Sequence, residues 1–65
     1  MITTAQRAEV MRLMKKLEFD PKTITMMHRR VSVPEHLIGT SVDAWVGGMT
    51  EAEASALIDK MKGMI

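Results

Sequence analysis

The segment Gly47–Met61 constrains the fold more than any other part of the chain. Two glycines precede Thr50, and Glu53 follows that threonine by three residues. This is the spacing of a capping box, in which the threonine hydroxyl accepts from the glutamate N–H and the glutamate side chain accepts from the threonine N–H. Apolar residues then recur every three or four positions, which is typical of one helix face. The sequence therefore predicts a C-terminal helix from Thr50 to about Gly63, packed by a stripe of Ala54, Leu57, Ile58, Met61 and Ile65.

A second capping box starts near the beginning of the chain. Thr3 takes the N-cap position and Gln6 the position of the returning side chain. Good helix formers follow to about Glu18, so the sequence predicts a first helix over this range. The stripe predicted to face the core consists of Gln6, Val10, Leu13, Met14 and Leu17.

The dipeptide Asp20-Pro21 predicts a corner after this helix, anchored by Phe19. An aspartate can cap a helix, and a proline is favoured at the first helical position. We therefore predict a second helix from Pro21 to about Arg30, with one face formed by Ile24, Met27 and Val31. The β-branched run Thr23–Thr25 would also suit a strand, and this alternative stays open.

The middle of the chain carries short elements. Residues 34–38 predict a turn of helix or an irregular loop that Gly39 closes, and Thr40 or Ser41 then caps a single helical turn from Val42 to Val46. The only tryptophan, Trp45, is expected to fill the gap between the terminal helices. Its alternative is an exposed position in a protein interface.

Together these segments predict an all-α fold, a single small helical domain over residues 1–65 with three main helices and a short additional helical turn before the last. The residues predicted to form the core are all hydrophobic: Val10, Leu13, Met14, Leu17, Phe19, Ile24, Met27, Val31, Trp45, Leu57, Ile58 and Met61.

Length and composition limit how such a chain is stabilised. It has 65 residues and no cysteine, which excludes a disulfide and a thiolate metal site. A chain this short buries only about 60% of its unfolded surface, so a homodimer that buries one more face is a reasonable hypothesis. No stretch approaches the roughly 20 apolar residues of a membrane span, and no secretory signal is visible. We expect no membrane association and a cytoplasmic protein, in the host cytoplasm if it is phage-encoded.

Motifs for catalysis are missing. Gly47-Gly48 lacks the further glycine and the lysine of a phosphate-binding loop. His28 and His36, with Glu35 beside the latter, are too few for a built metal site or a proton-transfer pair. We therefore expect no enzyme, no cofactor, no catalytic residue and no metal ligand.

Charge is unevenly distributed along the chain. Residues 1–34 hold seven basic and three acidic side chains, a net of +4, whereas residues 35–65 hold two basic and five acidic ones, a net of −3. Such an asymmetry can mark a surface that contacts nucleic acid, or it can be an ordinary solvated surface. The candidate nucleic-acid contacts are Lys15, Lys16, Lys22, Arg29 and Arg30.

Methionine is the other unusual feature, with eight in 65 residues. Methionine suits adaptable apolar surfaces that bind protein partners, although it also fills gaps in cores. The candidate protein interface consists of Met11, Met26, His28 and Met64.

Segments at both ends of the chain match a single sequence pattern. The start Ile2–Arg7, the corner Leu17–Asp20 and the run Met49–Met61 resemble small helical modules with the outline T-x-x-Q … L-G-L-D … L-T-x-x-E-A-S-x-L-I-D-x-L. Such modules occur in phage and bacterial proteins, and the phage Mu GemA-like host-regulatory family has a similar start and end. Here Glu18-Phe19 replaces the usual glycine-leucine pair, and the segment Met26–Val46 has no counterpart.

The resemblance implies a non-enzymatic, phage-type accessory or regulatory protein that binds a host or DNA-metabolism protein. The alternative is a regulator that binds DNA directly through the basic N-terminal half.

Overall fold

The computed structural model describes all 65 residues, and the chain is all-α. Three α-helices and two 3₁₀ helices follow one another: α1 (Thr4–Lys16), η1 (Met26–Val31), η2 (Glu35–Leu37), α2 (Val42–Gly47) and α3 (Glu51–Lys62). There is no strand, and the only β-type pairing is an isolated antiparallel bridge between Thr23 and Ser41.

The two terminal helices and their capping boxes are confirmed. Thr3 caps α1 and Thr50 caps α3, and in each case the side chain three residues later bonds back to the cap N–H. Gly63 ends α3, as predicted, whereas α1 ends at Lys16, two residues earlier than predicted. These caps fix where both long helices begin.

Gln6 joins the starts of α1 and α3. Its Oε1 accepts the Thr3 N–H at 3.1 Å, and its Nε2 donates to the Glu51 carbonyl oxygen at 3.0 Å. The Ile2 N–H donates to the Met49 carbonyl oxygen at 3.0 Å. The N-termini of the two longest helices are therefore tied side by side by polar bonds as well as by apolar packing.

The predicted second helix is wrong over Pro21–Thr25. Instead of capping a helix at Pro21, the Asp20 carboxylate accepts the N–H groups of Lys22 and Thr23, which is an aspartate turn. The Ile24 N–H donates to the Thr40 carbonyl oxygen, and the Ile24 carbonyl oxygen accepts the Gly39 N–H. These bonds hold the backbone extended until Thr25 caps η1.

The core is one apolar cluster, and α1 and α3 supply half of its residues. The residues predicted for it are buried with three exceptions: Leu17 and Trp45 are partly buried and pack against the cluster, and Met27 is 44% exposed. Met27 lies outside because a 3₁₀ helix repeats every three residues, so that His28 and Val31 form the buried face of η1. Several core members were not predicted, namely Ile2, Val33, Val42 and Val46, whereas Ala54 belongs to the predicted stripe of the C-terminal helix and is buried.

Helix α2 connects the core to α1. Ser41 caps it, which decides between the two predicted caps, and Val42 and Val46 lie fully buried one turn apart. Arg7 of α1 forms an ion pair with Asp43 in the first turn of α2. No helix in the structure has the length and apolar character needed to cross a bilayer.

We predict that Gln6→Ala lowers the free energy of unfolding by about 1–2 kcal/mol, because it removes half of the α1 capping box and the bond to Glu51. Gln6→Glu is the matched control, since a glutamate can still accept the Thr3 N–H but cannot donate to a carbonyl oxygen. Urea unfolding should rank the native chain first, Gln6→Glu second and Gln6→Ala third. Equal stability of all three chains would contradict the proposed role of Gln6 in joining the starts of α1 and α3.

Candidate binding surfaces

The five cations predicted to contact nucleic acid are all exposed. The two ion pairs of the structure use other arginines, pairing Arg7 with Asp43 and Arg12 with Glu9. We call the unpaired set the basic surface: Lys15, Lys16, Lys22, Arg29 and Arg30. Its charges are free to attract an anionic partner.

Phe19 brings the end of α1 to η1. Glu18 adopts a left-handed conformation with φ 64°, which ends the helix and turns Phe19 into the core. The Phe19 ring lies 5.1 Å from the His28 ring between centroids, and the guanidinium carbon of Arg30 lies 5.9 Å from the Phe19 centroid. A guanidinium at this distance is attracted by the aromatic ring. The contact places Arg30 beside the last turn of α1, which carries Lys15 and Lys16.

His28 is fully buried, so the prediction that it belongs to a protein interface is wrong. Its Nδ1 accepts the Thr25 N–H at 2.9 Å, and its Nε2 lies 3.1 Å from the Asp20 carbonyl oxygen, to which it donates. The imidazole therefore takes the role that Glu or Gln has in an ordinary capping box. Both ring nitrogens are used to anchor η1 to the segment that follows α1.

Lys22 is held next to the same anchor. Its N–H donates to the Asp20 carboxylate at 2.8 Å, and its carbonyl oxygen accepts the Val42 N–H at 2.9 Å. The backbone bond from Lys22, followed by that from Thr23, holds the pKa of Asp20 below its ordinary value of 3.8. The carboxylate stays ionised and keeps the turn closed down to acidic pH.

Two methionines on η1 lie beside the arginines. Met26 is 59% exposed and Met27 is 44% exposed. Because residues three apart share a face of a 3₁₀ helix, Met26 lies over Arg29 and Met27 over Arg30. Helix η1 thus presents apolar and cationic side chains together, next to the end of α1.

The other predicted interface methionines are less accessible. Met11 and Met64 are partly buried and pack against the core cluster. Met26 is therefore the one member of the predicted interface that is well exposed, and Met27, which was assigned to the core, joins it at the surface.

A second surface lies around Trp45. Two open cavities of about 430 and 460 Å³ adjoin there, and both are lined by Trp45, Met49 and Glu53. One cavity continues to Ala56 and Lys60 on α3. We call this surface the Trp45 groove. Trp45 was predicted to lie in the core, with an exposed interface position as the alternative. In the structure it packs against the core and also lines the groove.

The groove holds one anion and one cation of α3. The Glu53 carboxylate accepts the Thr50 N–H at 3.0 Å, and this bond holds the pKa of Glu53 below its ordinary value of 4.5. Lys60 donates to the hydroxyl of Ser32, which is neutral. Neither side chain forms an ion pair within the chain.

Groups for metal binding or proton transfer are not assembled at either surface. No three His, Cys, Asp or Glu side chains lie close enough together to hold a metal ion. His36 is exposed on η2, apart from the buried His28. No buried side-chain nitrogen or oxygen lacks a hydrogen-bond partner.

No protein-family model, curated protein or solved structure matches this chain. The resemblance of its ends to the GemA-like family therefore stays a prediction.

We predict that His28→Ala lowers the free energy of unfolding by about 2–4 kcal/mol, because it leaves a cavity and an unbonded Thr25 N–H. His28→Gln should be less harmful, since a glutamine at this position of a capping box can accept that N–H. Urea unfolding measures both variants, and amide exchange at Thr25 reports the bond itself. Unchanged protection of the Thr25 N–H in His28→Ala would contradict the proposed anchor.

We predict that Asp20→Asn makes the protein less sensitive to acid. The pKa of Asp20 is lowered in the folded chain, so its contribution to stability is present above the unfolded value and is lost as the pH falls through the folded value. An asparagine oxygen can still accept the two N–H groups but does not titrate. Urea unfolding midpoints measured from neutral pH to below the ordinary Asp value of 3.8 should fall less steeply for Asp20→Asn than for the exposed control Asp59→Asn. Parallel curves for the two variants would show that the turn does not depend on the Asp20 charge.

Proposed function

We propose that the protein is a non-enzymatic accessory or regulatory protein that binds an acidic segment of a protein partner through the basic surface and the two adjacent methionines. The observation that carries this proposal is that η1 presents exposed Met26 and Met27 beside unpaired Arg29 and Arg30. A partner of the class that the GemA-like resemblance implies, a host or DNA-metabolism protein, would meet both kinds of side chain at once.

Methionine and arginine are both enriched at protein interfaces. A methionine adapts its shape to apolar side chains, while an arginine binds a carboxylate with two parallel N–H groups. Helix η1 is also held rigidly, because Phe19 and His28 anchor it to the end of α1. A preformed surface of this kind loses little conformational entropy on binding.

The second candidate function is direct DNA binding, and the absence of ion pairs at all five cations of the basic surface favours it. Phosphate contacts need only such charges. Base recognition needs more, and η1 is a six-residue 3₁₀ helix rather than a long helix with polar side chains. The nearest aromatic ring, Phe19, is buried and cannot stack on a base. We therefore rank a protein partner first.

The proposal is tested by selecting binders from a displayed library of random peptides. We expect the unmodified protein to enrich peptides in which Asp or Glu alternates with large apolar residues. Arg29→Ala/Arg30→Ala and Met26→Ser/Met27→Ser should each lose these peptides. Lys62→Glu makes the same change in net charge as the arginine pair, on α3 and outside the Trp45 groove, and should keep them. A selection without acidic and apolar enrichment, or one that the arginine variant passes unchanged, would contradict the proposal.

The same variants distinguish the DNA alternative. Anisotropy of labelled single- and double-stranded DNA is measured at roughly 50 and 200 mM salt, where phosphate binding weakens steeply. Binding to DNA that Arg29→Ala/Arg30→Ala abolishes, together with a failed peptide selection, would put the DNA function first.

A further inference from the structure

The Trp45 groove is open along α3. The chain's own side chains leave two adjoining cavities there, and Trp45 and Met49 are partly exposed in them. On α3 the groove is lined by Glu53, Ala56 and Lys60, with Leu57 between them. Ala56 is exposed, and its single methyl group leaves room for another helix to approach closely.

The two charges of the groove lie on either side of Ala56. Glu53 and Lys60 are seven residues apart, which corresponds to two helical turns and about 10 Å along the axis. Both are exposed, and each lacks a partner of opposite charge within the chain. The face of α3 therefore carries an unpaired anion at one end and an unpaired cation at the other.

This arrangement is complementary to itself. When two copies of α3 lie antiparallel about a two-fold axis between Ala56 and Leu57, Glu53 of each copy faces Lys60 of the other. In such an isologous contact every pairing occurs twice, so one charge pair along the helix gives two ion pairs across the interface. A parallel arrangement in register would instead place like charges opposite each other.

We propose that the Trp45 groove is the interface of a symmetric homodimer, in which two α3 helices cross antiparallel at Ala56 and the Glu53–Lys60 pairs fix their register. Trp45 and Met49 of both copies supply the apolar centre, and a tryptophan in such a position contributes strongly to binding. The five cations of the basic surface lie on α1, on η1 and in the turn between them, and none of them lines the groove. The dimer therefore presents two copies of the basic surface.

A second copy fits this groove better than an unrelated acidic or basic segment does. A segment of one charge would pair with either Glu53 or Lys60 and would meet like charge at the other. The chain itself supplies both charges at the matching distance. A small domain also gains stability when it buries an additional apolar surface by association.

Sedimentation velocity over a range of protein concentrations tests the proposal. We expect a concentration-dependent dimer whose dissociation constant rises about tenfold or more in Lys60→Glu, because two ion pairs become two like-charge pairs. Lys62→Glu makes the same charge change on the last turn of α3 outside the groove, and it should leave the dimer unchanged. Fluorescence of Trp45 should shift to shorter wavelength as the dimer forms.

A second variant separates the pairing from folding defects. Glu53→Gln/Lys60→Glu removes the two like-charge pairs, while its glutamine can still accept the Thr50 N–H of the α3 capping box, so it should dimerise more tightly than Lys60→Glu alone, with circular dichroism to confirm that both chains are helical. Failure of this double variant to recover dimerisation in a helical chain would overturn the pairing. A native chain that stays monomeric at all concentrations, or a dimer that Lys60→Glu and Lys62→Glu weaken equally, would overturn the proposal and leave the groove to a different protein. None of these variants alters the basic surface, so peptide selection tests the proposed function separately.

Discussion

The bond between the Gln6 amide and the Glu51 carbonyl oxygen ties together the two capped helix starts on which the rest of the structure depends. Each capping box fixes where a helix begins, whereas the Gln6–Glu51 bond, the Ile2–Met49 bond and the apolar packing together fix how α1 and α3 lie relative to each other. With their starts joined, the stripes of the two helices face one another and supply half of the core residues. The Trp45 groove includes residues of α3, and the basic surface includes residues of α1.

The two candidate binding surfaces lie at different places relative to α1 and α3. After the end of α1, the Phe19 and His28 rings hold η1 in place, and η1 carries Arg29 and Arg30 beside two exposed methionines. Along α3, the short helix α2 leaves Trp45 partly exposed and a groove open. None of the five cations of the basic surface lines the groove, although the groove reaches Val31, the last residue of η1.

The local patterns of the terminal helices could be predicted from sequence because their caps and stripes involve residues three or four apart. Residues 20–25 could not, since their conformation depends on bonds from Ile24 to Gly39 and Thr40, which are distant in sequence. The burial of His28 was missed because histidine is an unusual partner in a capping box. The five cations predicted to contact nucleic acid are exposed, and that contact stays a prediction. The Trp45 groove arises from three separate segments, and no short motif indicates it.

Amide hydrogen exchange measured by NMR tests the joined helix starts most directly. The Ile2 N–H is bonded only to the Met49 carbonyl oxygen, and the Thr3 N–H only to the Oε1 of Gln6, whose amide nitrogen binds Glu51. If these bonds are part of the cooperative fold, both amides should exchange with nearly the same opening free energy as the buried amides of Leu13 and Met61. Free exchange at Ile2 and Thr3 while Leu13 and Met61 stay protected would show that the two helices pack without these bonds.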